Sequence, residues 1–146
     1  MKIRRNKTGI SDYLKEVSMH MIQYVDDPDE ICDLLKFASL AWNLTFLDES
    51  ELPNGPRSKI QEMLRVFRQE QPWLSDIEVL ELEDQMMIVY QLKKEKFPNV
   101  PNFIHDVLVR REGNMNYIKV LSIYTGRWFE IGMRLILSYE KSAQKW

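Results

Sequence analysis

The apolar residues near the start of the chain recur three or four positions apart, which is the period of a helix that buries one face. Leu14, Val17, Met21 and Tyr24 form this stripe, and Met19, Ile22 and Val25 widen it. Ser11 stands just before the stripe, where its hydroxyl can accept a hydrogen bond from an unpaired N–H group. We therefore predict a first helix that is capped by Ser11 and ends at Asp26-Asp27-Pro28.

A second helix is predicted to begin at the same acidic turn. Asp27 can cap it, Pro28 suits the first helical position, and the acids that follow favour the positive end of the helix dipole. One apolar face holds Ile31, Leu34, Leu35, Ala38, Ala41 and Trp42, and a second holds Phe37, Leu40, Leu44 and Leu47. A helix that is apolar over most of its circumference is usually the buried, central one. We expect Trp42 to anchor the core.

Two further helices are predicted after the turn Pro53-Asn54-Gly55-Pro56. The third has Ile60, Met63, Leu64 and Phe67 on its inner face and ends before Pro72. The fourth ends at Phe97-Pro98. Residues 75–82 mix the helical period with the strand period, so both a helix and a short strand stay open for that segment.

The pattern changes from helical to alternating after Pro101. In the first predicted strand, Phe103, His105, Val107 and Val109 alternate with Ile104, Asp106, Leu108 and Arg110. A turn at residues 112–116 leads into a second strand at residues 117–124. Residues 127–141 favour a third strand, although a helix matches their spacing as well. We therefore predict an α+β fold with about four helices, one of them central and buried, followed by a C-terminal three-stranded antiparallel meander.

The length of 146 residues and a composition of 45% apolar and 29% charged residues are typical of one globular domain. We predict a mobile basic arm at residues 1–10 and a single α+β domain over residues 11–146. Cys32 is the only cysteine, so no disulfide can form within the chain. The sequence contains no recognisable signal peptide or membrane-spanning apolar run, and we expect a cytoplasmic protein.

Charge is unevenly distributed along the chain. The net charge is −2, but residues 1–10 carry four bases and no acid, whereas residues 11–56 carry two bases and ten acids. This segment, with a net charge of −8, can attract a basic partner. The predicted sheet instead mixes aromatic with basic residues: Tyr117, Tyr124 and Trp128 with Arg110, Arg111, Lys119, Arg127 and Arg134. Aromatic side chains beside cations bind single-stranded nucleic acid.

The sequence offers no local signature for a metal or a cofactor. His20, His105 and Cys32 are widely separated, and no metal-ligand spacing such as Cys-x-x-Cys is present. Pro28 and the lack of a following glycine exclude an EF-hand at the acidic turn. The five glycines are not clustered, which disfavours a phosphate-binding loop. We predict no metal site, no cofactor and no residue with an assigned catalytic role.

Three sets of side chains could still support catalysis. Cys32 lies near a helix start, but the acids around it oppose thiolate formation, so we interpret it as a small core residue. His105 could act as a general base, although an exposed strand residue is the simpler interpretation. Glu81 and Asp84 would share a helical face and could do acid–base work, although a solvated face is more common.

The leading hypothesis is a non-catalytic module that binds or regulates another protein. The alternative is a small enzyme with a site built from dispersed residues around His105 or the Glu81/Asp84 pair. A second alternative is nucleic-acid binding through the basic arm and the aromatic and basic sheet. We expect a protein partner and no membrane.

Overall fold

Four helices of eight or more residues, one short helix and a two-stranded antiparallel sheet form residues 9–124, the part of the chain that the structure, a computed structural model, describes. The helices are α1 (Ile10–Val17), α2 (Met19–Ile22), α3 (Pro28–Leu44), α4 (Gly55–Glu70) and α5 (Asp76–Lys96), and a 3-10 turn covers Glu49–Glu51. The strands are β1 (Asn102–Glu112) and β2 (Met115–Tyr124). The predicted α+β class is confirmed. The third strand predicted at residues 127–141 and the first eight residues of the predicted arm lie outside the described residues.

The predicted first helix is interrupted at Ser18, where the backbone leaves the helical region (φ −107°, ψ 3°) and separates α1 from α2. Met21 and Ile22 reach the core from α2, but Tyr24 lies past its end and is 92% exposed. The prediction that Tyr24 belongs to the apolar stripe is therefore wrong. The prediction for Ser11 is wrong as well, because Gly9 is the N-cap of α1. The Ser11 hydroxyl instead accepts a hydrogen bond from the N–H of Val120 in β2, at 3.1 Å.

Helix α3 is the central element, as its apolar circumference predicts. Asp27 caps it by accepting from the N–H of Glu30, and Pro28 occupies the first position. It packs against α1, α2, α5 and β1. Trp42 is fully buried, and its indole N–H donates to the carbonyl of Asn102 at 2.8 Å.

In the segment of residues 75–82, Asp76 begins α5 and Ser75 is its N-cap, so the helix is the correct alternative. Ser75 and Glu78 form a capping box at the start of α5: the Ser75 hydroxyl accepts from the N–H of Glu78, and the Glu78 carboxylate accepts from the N–H of Ser75. These two bonds satisfy donors that a helix start otherwise leaves unpaired. The capping box therefore favours a helix over a short strand at residues 75–82, a choice that the apolar period left open.

Strands β1 and β2 form a hairpin whose turn contains Gly113 with a positive φ of 65°. Its inner face contributes Ile104, Val107 and Val120 to the core. The register shifts between Ile104 and Asp106, so that His105 is an extra residue in β1. This bulge ends the strict alternation predicted for β1: His105 is exposed although Val107 is buried. Arg111 and Asn116 near the turn both donate to the backbone carbonyl of Asp26, just before α3.

Candidate functional site

A large aromatic side chain stands exposed where α4 leads into α5. Trp73 is 70% exposed, whereas the neighbouring Leu74 is buried. Both line a depression of about 140 Å³ together with Phe37 of α3 and Phe67 of α4. The rings of Phe37 and Phe67 pack with their centroids 4.8 Å apart and form an apolar wall beside Trp73. The exposed indole and the adjoining depression together form an apolar surface patch, the kind of feature found at protein interaction sites.

The depression continues along α3 towards the sheet. A second depression of about 250 Å³ adjoins the first, because Lys36 and Phe67 line both. We call the two depressions together the α3 groove. The first is lined by Asp33, Phe37, Gln71, Trp73 and Leu74, the second by Ser39, Leu40, Asn43, Ile104, His105, Asp106 and Val107, and both by Lys36 and Phe67.

In the β1 wall of the α3 groove, the backbone groups of Ile104 and Val107 are already bonded to side chains. The carboxamide of Asn43 accepts from the N–H of Ile104 at 2.8 Å and donates to the carbonyl of the same residue at 2.7 Å. The carbonyl of Val107 accepts from the thiol of Cys32 at 3.4 Å, and the N–H of Val107 donates to the Asp106 carboxylate. Side chains therefore cover this edge of the sheet, which protects it from pairing with another strand.

Exposed charges that are available to a partner lie at the rim of the α3 groove and on the turn of α3 that precedes it. Asp29, Glu30 and Asp33 are exposed on the first half of α3, and Lys36 is exposed one turn further. Within residues 9–124, none of these four side chains forms an ion pair. The end of the groove nearest the start of α3 is therefore acidic.

Among the predicted catalytic candidates, only His105 reaches the α3 groove. It lies on the bulge of β1 beside Asp106, but the Asp106 carboxylate bonds to the N–H of Val107. The nearby hydroxyl of Ser39 donates to the carbonyl of Leu35, within its own helix. No described side chain forms a hydrogen bond with His105. The groove therefore lacks the base-to-nucleophile hydrogen bond that nucleophilic catalysis uses.

The second predicted pair, Glu81 and Asp84, does not form a unit. Glu81 is exposed, and in the described part of the chain no ion pair or hydrogen bond involves it. Asp84 accepts from Arg57 of α4 at 3.0 Å, and Arg57 also donates to Glu83, which is buried. The two carboxylates, first Glu83 and then Asp84, raise the pKa of the Arg57 guanidinium. These residues fasten α4 to α5.

Lys93 of α5 is a chemically distinctive residue that the sequence analysis did not identify. Only 2% of it is exposed, and its amine donates to the carbonyls of Phe97 and Val100 at 2.9 and 3.1 Å. The amine also lies 5.0 Å from the ring centres of Trp42 and Phe46. Burial lowers the pKa of Lys93 to about 8. In the sequence Lys93 continues the helical stripe of Met86, Val89 and Tyr90, but a lysine at the end of such a stripe gives no sign that its amine is buried.

The outer face of the hairpin holds part of the predicted nucleic-acid platform. Tyr117 pairs with Arg110 across the strands, and both are exposed together with Lys119. Arg110 forms an ion pair with Glu112, and Arg111 turns away to bind Asp26. The side chain of Tyr124 and the predicted platform residues Arg127, Trp128 and Arg134 lie outside the described part of the structure.

No group of three or more potential metal-ligating side chains comes together within residues 9–124. Over the same range, every helix is too short or too polar to cross a bilayer. A comparison of the chain with protein-family models, curated proteins and solved structures finds no significant match. The geometry of the described residues is therefore the basis for a functional proposal.

Proposed function

We propose that this chain is a non-catalytic module that binds another protein through the α3 groove. The observation that carries the proposal is the exposure of Trp73 beside the buried Leu74 and the paired rings of Phe37 and Phe67. Tryptophan is enriched among the few residues that dominate the binding energy of protein interfaces. Keeping this ring in water costs free energy that a partner would recover by covering it.

The alternative of a small enzyme has less support. It needs an acid or base held against a reacting group, whereas His105 has no hydrogen-bonding neighbour among the described residues and Asp84 is engaged by Arg57. A protein-binding role needs only the shape and apolar character of the α3 groove. We further propose that the module acts in the cytoplasm, because a chain with a single cysteine suits a reducing compartment.

The proposal is tested by affinity capture from the cells that produce the protein, followed by binding measurements with the purified partner. We expect Trp73→Ala to weaken the complex at least about thirtyfold, which corresponds to about 2 kcal/mol for an interface hot spot. Tyr24→Ala is the matched control, because Tyr24 is also a highly exposed aromatic residue but does not line the groove. A partner that binds the wild type and the Trp73→Ala variant equally well would refute the groove as the binding site.

Nucleic-acid binding is the second candidate, and the shared face of Arg110, Tyr117 and Lys119 favours it. The platform is small, and Glu112 already neutralises the Arg110 guanidinium at 2.9 Å. Two cations provide little of the counterion release that drives such binding. We therefore rank this function below protein binding.

A further inference from the structure

We propose that the α3 groove recognises an amphipathic helix whose basic residues lie over Asp29 and Asp33 of α3, rather than an extended segment. This inference rests on the proposed function and adds the conformation and the charge of the ligand. It follows from three features of the groove: its hydrogen-bonded β1 wall, its length and its charged rim.

The β1 wall disfavours an extended ligand. A peptide that adds a strand to a sheet needs free N–H and C=O groups along the sheet edge. Between Asn102 and Val107, the carbonyls of Asn102, Ile104 and Val107 and the N–H groups of Ile104 and Val107 are bonded to the side chains of Trp42, Asn43, Cys32 and Asp106. An extended peptide would have to break these bonds, whereas a helix satisfies its own backbone.

The length of the groove suits about three helical turns. Its floor follows α3 from Asp33 to Asn43, and ten residues of helix rise about 15 Å. A ligand helix of that length presents apolar side chains at positions i, i+3 or i+4, and i+7. These would lie over Trp73, Phe37 and Leu40 in turn.

The charged rim favours a basic ligand. Asp29, Asp33, Lys36 and Leu40 follow one another at spacings of four, three and four residues, and thus lie on one stripe of α3. The two aspartates at one end of this stripe are exposed and form no ion pair within the described range. Lysine or arginine side chains on the rim of a docked helix would complement them.

The inference is tested with three blocked 14-residue peptides that carry a fluorophore. The helical basic peptide repeats Leu-Lys-Lys-Leu-Leu-Lys-Leu twice. The alternating basic peptide has the same composition and repeats Leu-Lys-Leu-Lys-Leu-Lys-Leu twice. The helical acidic peptide replaces each Lys of the first by Glu. We expect fluorescence anisotropy to show that the helical basic peptide binds at least about tenfold more tightly than either of the others, a difference of about 1.4 kcal/mol.

The charge variants locate the binding site. Asp33→Lys should weaken the helical basic peptide and strengthen the helical acidic peptide, each by about tenfold, whereas a merely unstable variant would bind both less well. Glu95→Lys is the matched control, because Glu95 is exposed near the C-terminal end of α5. It lies about 28 Å along the helix axis from Asp76, the first residue of α5, which follows Trp73 and Leu74 of the groove. Equal effects of Asp33→Lys and Glu95→Lys would overturn the inference.

Two further outcomes separate this inference from the proposed function. Tight binding of the alternating peptide that Trp73→Ala abolishes would overturn the helical ligand but leave the groove as the binding site. Deletion of residues 1–8 should leave all three affinities unchanged. If that deletion strengthens the helical basic peptide about tenfold, the arm of this chain is the occupant and the external ligand is refuted.

Discussion

The amine of Lys93 lies in the core between two aromatic rings and two backbone carbonyls, and burial lowers its pKa from 10.5 to about 8. Between these two values the unfolded chain binds more protons than the folded chain. The free energy of unfolding therefore rises as the pH increases from about 8 to about 10.5. Below pH 8 the folded protein must hold a charged ammonium in a poorly solvated site.

We predict that the wild type gains about 3 kcal/mol of stability between pH 7.5 and 10.5 relative to Lys93→Met, since one pKa unit corresponds to about 1.4 kcal/mol. Methionine retains much of the apolar stem but cannot titrate. Urea unfolding of both proteins at matched pH values measures the difference, in which the titration of other groups cancels. If the free energies of unfolding of the two proteins change with pH in parallel, burial does not lower the pKa of the Lys93 amine.

Trp42→Ala should lower the free energy of unfolding by about 3–5 kcal/mol, the range for large aromatic side chains in cores. Trp42 is fully buried on the central helix, and its indole also bonds to Asn102. Denaturant unfolding is the measurement, with the exposed Tyr24→Ala as the control that should change stability by less than about 0.5 kcal/mol. A decrease in the free energy of unfolding of less than about 1 kcal/mol for Trp42→Ala would contradict its role as a core anchor.

The sequence predicts single residues well where apolar spacing decides their position, and poorly where a distant partner does. Trp42 and the Asp27 cap follow from the local pattern and are confirmed. Ser11 was misassigned because its partner, Val120, lies more than a hundred positions away. Lys93 fits the helical stripe of α5, but the surroundings of its amine depend on Trp42 of α3 and Phe46 of the turn that follows α3, both distant in the chain.

At the scale of elements, one of the side chains that join α3 to β1, the Asn43 carboxamide, takes the place of a neighbouring strand. Asn43 makes the two hydrogen bonds to Ile104 that a neighbouring strand would make. All the participating groups are buried. This arrangement lets a helix lie directly against a sheet edge without leaving backbone groups unpaired.

We predict that Asn43→Leu destabilises the protein by about 2–6 kcal/mol, because two buried backbone groups each lose their partner at about 1–3 kcal/mol. Asn99→Leu, at an exposed position after α5, is the control and should have little effect. Hydrogen exchange at the Ile104 amide provides an independent measurement and should speed up in Asn43→Leu. An unchanged exchange rate together with unchanged stability would contradict this role for Asn43.

The order and type of the elements were largely predictable, and their interruptions were not. The apolar period and the proline turns predict α3, α4, α5, β1 and β2. The break at Ser18 and the bulge at His105 have no proline or glycine to announce them. Both depend on how α2 and β1 pack against the rest of the molecule. The α3 groove was likewise beyond sequence analysis, because Phe37, Phe67 and Trp73 appear in the chain as separate helix and loop residues.

At the scale of the whole molecule, charge decides which partners can approach. The net charge is −2, and the segment of residues 11–56 with a net charge of −8 holds α3 and its exposed acids. We predict no sub-micromolar affinity for single-stranded DNA or RNA near physiological salt, because this segment repels phosphates. Anisotropy titrations at two salt concentrations measure this. A tight, salt-sensitive complex that Tyr117→Ala weakens would place nucleic-acid binding above protein binding.

The contacts between the hairpin and the first helices have a consequence for the synthesis of the chain on the ribosome. Ser11 of α1 and Val120 of β2 are hydrogen-bonded across 109 positions. The carbonyl of Asp26 likewise cannot accept its hydrogen bonds until Arg111 and Asn116 have been synthesised. At about 5–20 residues per second, synthesis separates Ser11 from Val120 by roughly 5–20 s. During that interval the inner faces of α1 and α3 have no hairpin to cover them. The nascent chain therefore offers apolar helices to chaperones until its last described strand emerges.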